Sequence, residues 1–200
     1  LAEMFKKDRA DFEAKWPDLQ VFVQYGMLSE EKFADKAKDF SLFKTTDNEF
    51  FTQQEYLDKV KVLQTDKNNK TVFLYTNDAE EQYAFVKKAK ERGYSVLLLD
   101  GPLAPHWISK LEQSNENITF VRVDADSLDK LIAKTDELPS KLSKEEEEKL
   151  KPIFEAQVNK EKFTVQFESM SEQEAPIIIT QPEFNYTSLQ TQAVRFTSSL

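Results

Sequence analysis

The sequence predicts an α/β fold: a three-stranded parallel sheet in an αβα sandwich, preceded by a helical subdomain and followed by a partial α+β domain. Three observations carry this. The run YSVLLLDGP, Tyr94 to Pro102, puts four consecutive apolar residues before a polar turn, the pattern of a strand buried on both faces. Similar apolar runs flank it at Thr71 to Thr76 and Ile118 to Val123. Each gap between runs holds a helix-period segment, so the strands are joined by crossovers, which are right-handed.

Phe5, Phe12 and Trp16 recur on one side of a first helix, which Pro17 is expected to stop because it disfavours helical geometry at Trp16. A short second helix follows, capped by Asp18, carrying Leu19, Phe22 and Val23 inward and closed by Gly26 in a left-handed conformation. Ser29 precedes a third, with Phe33, Ala37 and Phe40 on its apolar face. Thr52 and Glu55 form a capping box for a fourth, which turns Tyr56, Val60 and Leu63 inward.

After the polar turn Thr65 to Lys70 comes the first strand, and then Asn77 or Asp78 caps a helix carrying Ala79, Tyr83 and Val86 inward and ending at Gly93. Beyond the second strand, Pro105 suits a first helical turn, and Trp107, Ile108 and Leu111 make the next apolar face. Composition then changes: Lys134 to Lys151 is dominated by charge, which places a domain boundary near Thr135 to Leu142. Ser143 and Glu146 form a second capping box, followed by a helix with Leu150, Ile153, Phe154 and Val158 inward. Phe163, Val165 and Phe167 alternate as a half-exposed strand, with Pro176 to Ile179 as its partner. The expected divisions are 1–64, 65–135 and 143–200.

Composition narrows the function classes. With 36 acidic and 27 basic side chains the net charge is -9, and no local basic patch offsets it, so nucleic acid is not an expected partner. The absence of cysteine removes disulfides, thiolate metal sites and a cysteine nucleophile, and fits a reducing compartment, so a cytoplasmic location is expected. No apolar run reaches the roughly 18 residues that cross a bilayer, so no membrane partner is expected. The first residues lack the order of a signal peptide, and Leu1 opens in mid-helix pattern, as in a piece of a longer protein.

Candidate chemistry sits at the strand ends. Asp100, Asp124 and Asp126 follow two parallel strands, where open α/β sheets place ligands, and His106 is near in sequence. A small carboxylate or metal-dependent enzyme is one alternative reading. Turn and cap roles account for the same residues at less cost. No Gly-x-Gly-x-x-Gly or Gly-x-x-x-x-Gly-Lys motif offers a phosphate its backbone, and no Gly-x-Ser-x-Gly elbow occurs. Phe73, Tyr75 and Trp107 sit at core spacing without the interleaved arginines of a base-stacking platform. Glu80, Glu81, Lys87, Lys88, Lys90, Glu91 and Arg92 read as a solvated helix face before they read as a docking surface, and a non-chaperone interaction module stays open as a further alternative.

Taken in order, FVQYGMLSEEKF (Phe22 to Phe33), FFTQQEYL (Phe50 to Leu57), LYTNDAEEQ (Leu74 to Gln82), RGYSVLLLDGPL (Arg92 to Leu103), FVRVDADSLDKL (Phe120 to Leu131) and APIIITQPEF (Ala175 to Phe184) resemble the heat-shock protein 90 chaperone family, in its bacterial HtpG type. The resemblance covers about nine-tenths of the chain. It implies that Leu1 to about Thr135 is the later part of a middle domain, its helical connection and small αβα subdomain, and that the C-terminal domain starts near Ser143. It further implies a parent that is a homodimeric, ATP-driven clamp acting on unfolded or partly folded client proteins. ATP and Mg2+ are then the parent's cofactors, bound outside this segment, and no catalytic, cofactor-binding or metal residue is assigned here. After Phe184 the sequence departs from the family, whose amphipathic, methionine-containing helix is not matched by Asn185 to Leu200.

Overall fold

Strands and helices were assigned on a computed structural model that describes residues 1–134, 142–159, 162–168, 177–180 and 192–197. The described residues fall into two units, Leu1–Val121 and Arg122–Leu200. The first unit begins with α1 (Ala2–Lys7), α2 (Arg9–Ser29) and α3 (Glu31–Ala37). The hairpin β1 (Phe43–Thr45) and β2 (Phe50–Phe51) follows, and then α4 (Gln53–Val60). The alternating part is β3 (Thr71–Thr76), α5 (Tyr83–Glu91), β4 (Val96–Leu98), α6 (Ala104–Ser114) and β5 (Ile118–Arg122).

The three expected strands lie in one sheet, with β3 parallel to β4 in the register Leu74 to Val96, and β5 on the far side of β3. The sheet is not three-stranded, however. Its order is β2-β1-β4-β3-β5, because β1 pairs antiparallel with β4 (Lys44 opposite Leu98) and β2 pairs antiparallel with β1. Residues 1–64 are therefore not purely helical. The added strands are three and two residues long, too short to show a period of two. Their turn is locally specified: the Thr45 hydroxyl oxygen accepts from Asp47 N and Glu49 N, each at 3.2 Å, and Asn48 takes a left-handed φ of 59°.

Helix α2 corrects two further expectations. It runs unbroken through Pro17, and the break comes earlier, at Asp8, whose side chain accepts from Asp11 N at 3.0 Å. A proline inside a helix costs about 3 kcal/mol. Phe12, Trp16, Val23 and Met27 are all buried along α2, and at about 1.5–3 kcal/mol for each such side chain their burial outweighs that cost. Gly26 also lies inside α2 and does not end it in a left-handed cap. A Cβ there would stand 2.7 Å from Phe33 Cε1, so the bare backbone is what lets the α3 ring come close. Ser29 precedes α3 as expected, and Glu30 stands between them as the N-cap.

The core of this unit is aromatic. Phe43 is its hub, with ring centroids 5.0 Å from Trp107, 5.9 Å from Phe73 and Phe120, and 6.0 Å from Tyr56. The expected capping box at α4 is present: Thr52 Oγ1 accepts from Glu55 N and Glu55 Oε2 accepts from Thr52 N. Helix α5 starts later than expected, at Tyr83, because Asp78 spends its carboxylate on Glu80 N and Glu81 N in a separate turn. Tyr83 is consequently exposed, while Val86 points inward as expected. Gly93 closes α5 at φ 78°, and Pro105 sits in the first turn of α6.

The second unit contains α7 (Leu128–Leu131), α8 (Lys144–Glu155), β6 (Phe163–Glu168), β7 (Ile177–Thr180) and β8 (Gln192–Thr197). Ser143 and Glu146 make the expected capping box at α8. Phe154 and Val158 pack with Phe163 and Phe167 around buried Val165, whereas Ile153, expected inward, is exposed. The expected direct pairing of β6 with β7 does not occur: β8 lies between them, parallel to β6 and antiparallel to β7. A strand supplied from beyond Phe184 was not foreseen, although Val194-Arg195-Phe196-Thr197 alternates over its four residues. Most of the boundary region, 135–141, and most of the tail lie outside the described residues.

Candidate functional site

Two of the strand-end carboxylates, Asp124 and Asp126, are engaged in separate local tasks. Asp100 is exposed in the turn after β4, where Ala104 N donates to Gly101 O, and His106 is exposed on the first turn of α6. Asp124 is buried and receives Arg122 Nε at 2.5 Å, an ion pair inside the second unit. Asp126 Oδ1 accepts from Ser127 N at 2.6 Å ahead of α7, so it orders a turn. Among the described residues no group of three or more His, Asp or Glu gathers as a metal site would require.

The aromatic candidates are interior. Phe73 and Trp107 are buried in the core cluster, so neither presents a face on which a base could stack, and the partly buried Tyr75 packs against the same cluster. On the charged helix, Lys90 Nζ reaches Asp47 at 2.7 Å and ties α5 to the β1–β2 turn, while Lys87 and Glu91 make a loose surface pair at 3.9 Å.

What the structure adds is an apolar stripe on the outer side of α2. Val21, Phe22 and Tyr25 are 36%, 73% and 66% exposed, on the same helix whose other side buries Val23, Gln24 and Met27. Phe22 was expected inward and is not. The i, i+3 and i+4 relations of Leu19, Phe22, Val23 and Tyr25 fit either orientation, so periodicity alone does not distinguish the two. The surplus is the available signal: more large apolar residues than one helix face holds. Met27 and Val23 fill the inner face, which leaves the aromatic pair for solvent or for a partner. The stripe is carried by a helix whose opposite face is buried, and α2 is tied at its start by Arg9, whose guanidinium makes two hydrogen bonds to Glu55, at 2.5 and 2.7 Å, and one to Glu13 at 2.7 Å. Arg9 thereby holds the Glu55 carboxyl below the usual carboxylate range, assisted by Thr52 N.

Comparison with known proteins adds the remaining information. No family model matches the chain. The chain is similar to the chaperone protein HtpG of Porphyromonas gingivalis (strain ATCC 33277), 46% identical over 187 residues, which cover 92% of this chain and 27% of that protein. The chaperone protein HtpG of Bacteroides fragilis (strain YCH46) is 43% identical over 187 residues, covering 92% of this chain and 28% of its own length. The chain thus spans less than a third of the curated relatives it matches. Among solved structures, the middle domain of a heat shock protein from Plasmodium falciparum overlaps with a TM-score of 0.41 at 13% identity, over 56% of this chain and 48% of that one.

Proposed function

Since the chain belongs to the HtpG type of heat-shock protein 90 chaperones, we propose that it is the segment of such a chaperone that couples its nucleotide-binding and dimerising ends and contacts client proteins through α2. Residues 1 to about 135 are read as the later middle domain and residues from 143 as the start of the C-terminal domain. The parent is read as a cytoplasmic homodimer that binds ATP and Mg2+ elsewhere and acts on unfolded or partly folded clients. The segment itself is read as having no nucleotide site and no catalytic residue, a reading supported by the absence of any phosphate-binding sequence motif. No described helix is long and apolar enough to cross a membrane.

The single observation behind the contact surface is the exposed Val21, Phe22 and Tyr25 stripe on a helix whose opposite face is fixed in an aromatic core. Unfolded clients expose apolar side chains, and a rigid apolar stripe receives them without an ordering cost of its own. Substituting Phe22→Ser and Tyr25→Ser together in the full-length parent is expected to weaken suppression of client aggregation several-fold, while unfolding midpoint and ATP turnover stay unchanged, as for exposed sites away from the core. Undiminished suppression by the double variant would remove α2 from the client path. ATP hydrolysis by the isolated segment, lost on Asp100→Asn or Asp124→Asn, would overturn the non-enzymatic reading.

A further inference from the structure

Among the described residues the five-stranded sheet has two outer edges, β2 and β5, and on each an outward backbone group is held by a charged side chain. Thr45 and Glu49 form a hydrogen-bonded pair (Thr45 N to Glu49 O, 2.9 Å), so the neighbouring Lys44–Phe50 pair is a non-hydrogen-bonded one and Phe50 turns its own N–H and C=O away from β1. Arg9 Nη2 donates to that Phe50 carbonyl at 3.2 Å. Lys59 lies over the Phe51 ring at 4.8 Å and reaches Glu49 at 3.1 Å, so long side chains screen the same edge.

On the other side, Glu112 projects from α6, and its Oε1 accepts from Phe120 N at 2.7 Å and Thr119 Oγ1 at 3.1 Å. A backbone amide has one proton, so the Phe120 amide is spent on Glu112 and is available to no strand. Ile118 N, two residues earlier, donates to Asn115 O at 3.3 Å. Two alternate amides of β5 are thus occupied from within the chain.

An exposed edge with free amides and carbonyls is a template for another extended chain, a hazard that folded proteins block with charges and coverings. We propose that Glu112 is an edge guard: by occupying the Phe120 amide it keeps an extended segment of another polypeptide from adding to β5 as a sixth strand, while at β2 the Arg9 side chain stands over the Phe50 carbonyl. The guard is separate from the α2 stripe and does not depend on the client-contact reading.

The test uses the full chain and a short fluorescein-labelled peptide of alternating valine and threonine, read by fluorescence anisotropy. Glu112→Ala is expected to bind this peptide about tenfold more tightly than the native chain, the size of one net hydrogen bond freed for the incoming strand. Glu112→Gln is expected to match the native chain, because its amide oxygen still accepts from Phe120 N. No gain of binding by Glu112→Ala would overturn the guard, and so would equal gains by both variants, since that result assigns the effect to charge and not to the occupied amide. Should Glu112→Ala fail to fold, native-state hydrogen exchange on the unmodified chain decides: the Phe120 amide is expected to be protected, and exchange at the rate of an open chain would refute the proposal.

Discussion

Gly26→Ala sets two known effects against each other on α2. Glycine in a helix interior is worse than alanine by about 1 kcal/mol, so a propensity argument expects stabilisation. The geometry opposes it. The new methyl would lie 2.7 Å from Phe33 Cε1, 2.9 Å from Cδ1 and 3.4 Å from Cζ. Nothing relaxes cheaply, because Phe33 is partly buried and its ring meets Phe40 edge-on at 6.3 Å, a contact worth about 0.5–1.5 kcal/mol. Overpacking of this kind costs about 1–3 kcal/mol. The overlap therefore wins, and Gly26→Ala is expected to lower stability by about 1 kcal/mol net. The assay is urea unfolding followed by tryptophan fluorescence, repeated in a Phe33→Leu background that withdraws the ring. There the same substitution should become neutral or stabilising. Stabilisation in the native background, or equal loss in both, would refute the assignment of the cost to Phe33.

Two further expectations follow from the core and from the Arg9 network. Phe43→Ala removes the ring that touches Tyr56, Phe73, Trp107 and Phe120 and should cost about 3–5 kcal/mol in chemical denaturation, the range for a buried aromatic; a loss under about 1 kcal/mol would mean that the site collapses around the gap. Glu55 has its folded pKa lowered from 4.5 by Arg9 first and Thr52 second, so it contributes stability that is present above 4.5 and lost as pH falls through the lowered value. Its side chain is 42% exposed, which limits the effect to about 1 kcal/mol or less. The stability gap between the native chain and Glu55→Gln should close as pH falls from about 4.5 through the lowered value, and a gap that does not change with pH would contradict the pairing.

Features fixed by neighbours in sequence were the readable ones. The Thr52–Glu55 and Ser143–Glu146 capping boxes, the left-handed Gly93 and the helix-opening Pro105 each need only a few residues, and all are where their spacing puts them. The buried runs of β3 and β4 were readable for the same reason, since four apolar residues in a row have few other uses, while β5, which reads Ile118-Thr119-Phe120-Val121-Arg122, was legible from its crossover spacing to them. What failed was decided at long range. Pro17 stays helical because Phe12, Trp16, Val23 and Met27 are buried together, a sum that no local rule contains. Gly26 serves a phenylalanine seven residues later in another helix. The β1–β2 hairpin is too short to announce itself and exists as strand only because β4 offers it an edge. The α2 stripe was illegible in a different way: Phe22 and Val23 are adjacent and equally apolar, yet one is 73% exposed and the other 1%, and the helices packed against α2 decide which.

The middle position of β8 has a consequence for synthesis. Gln192–Thr197 is the last-made strand of its sheet, yet it supplies the hydrogen-bond partners of both β6 and β7, which do not pair with each other. During translation those two strands leave the ribosome as unmatched ribbons and stay so until the last of the three arrives, whereas all residues of the first unit have already been made. The nascent chain thus passes through a stage at which one half can be finished and the other is adhesive. A message that stops a few codons before Gln192 would turn that stage into the end product.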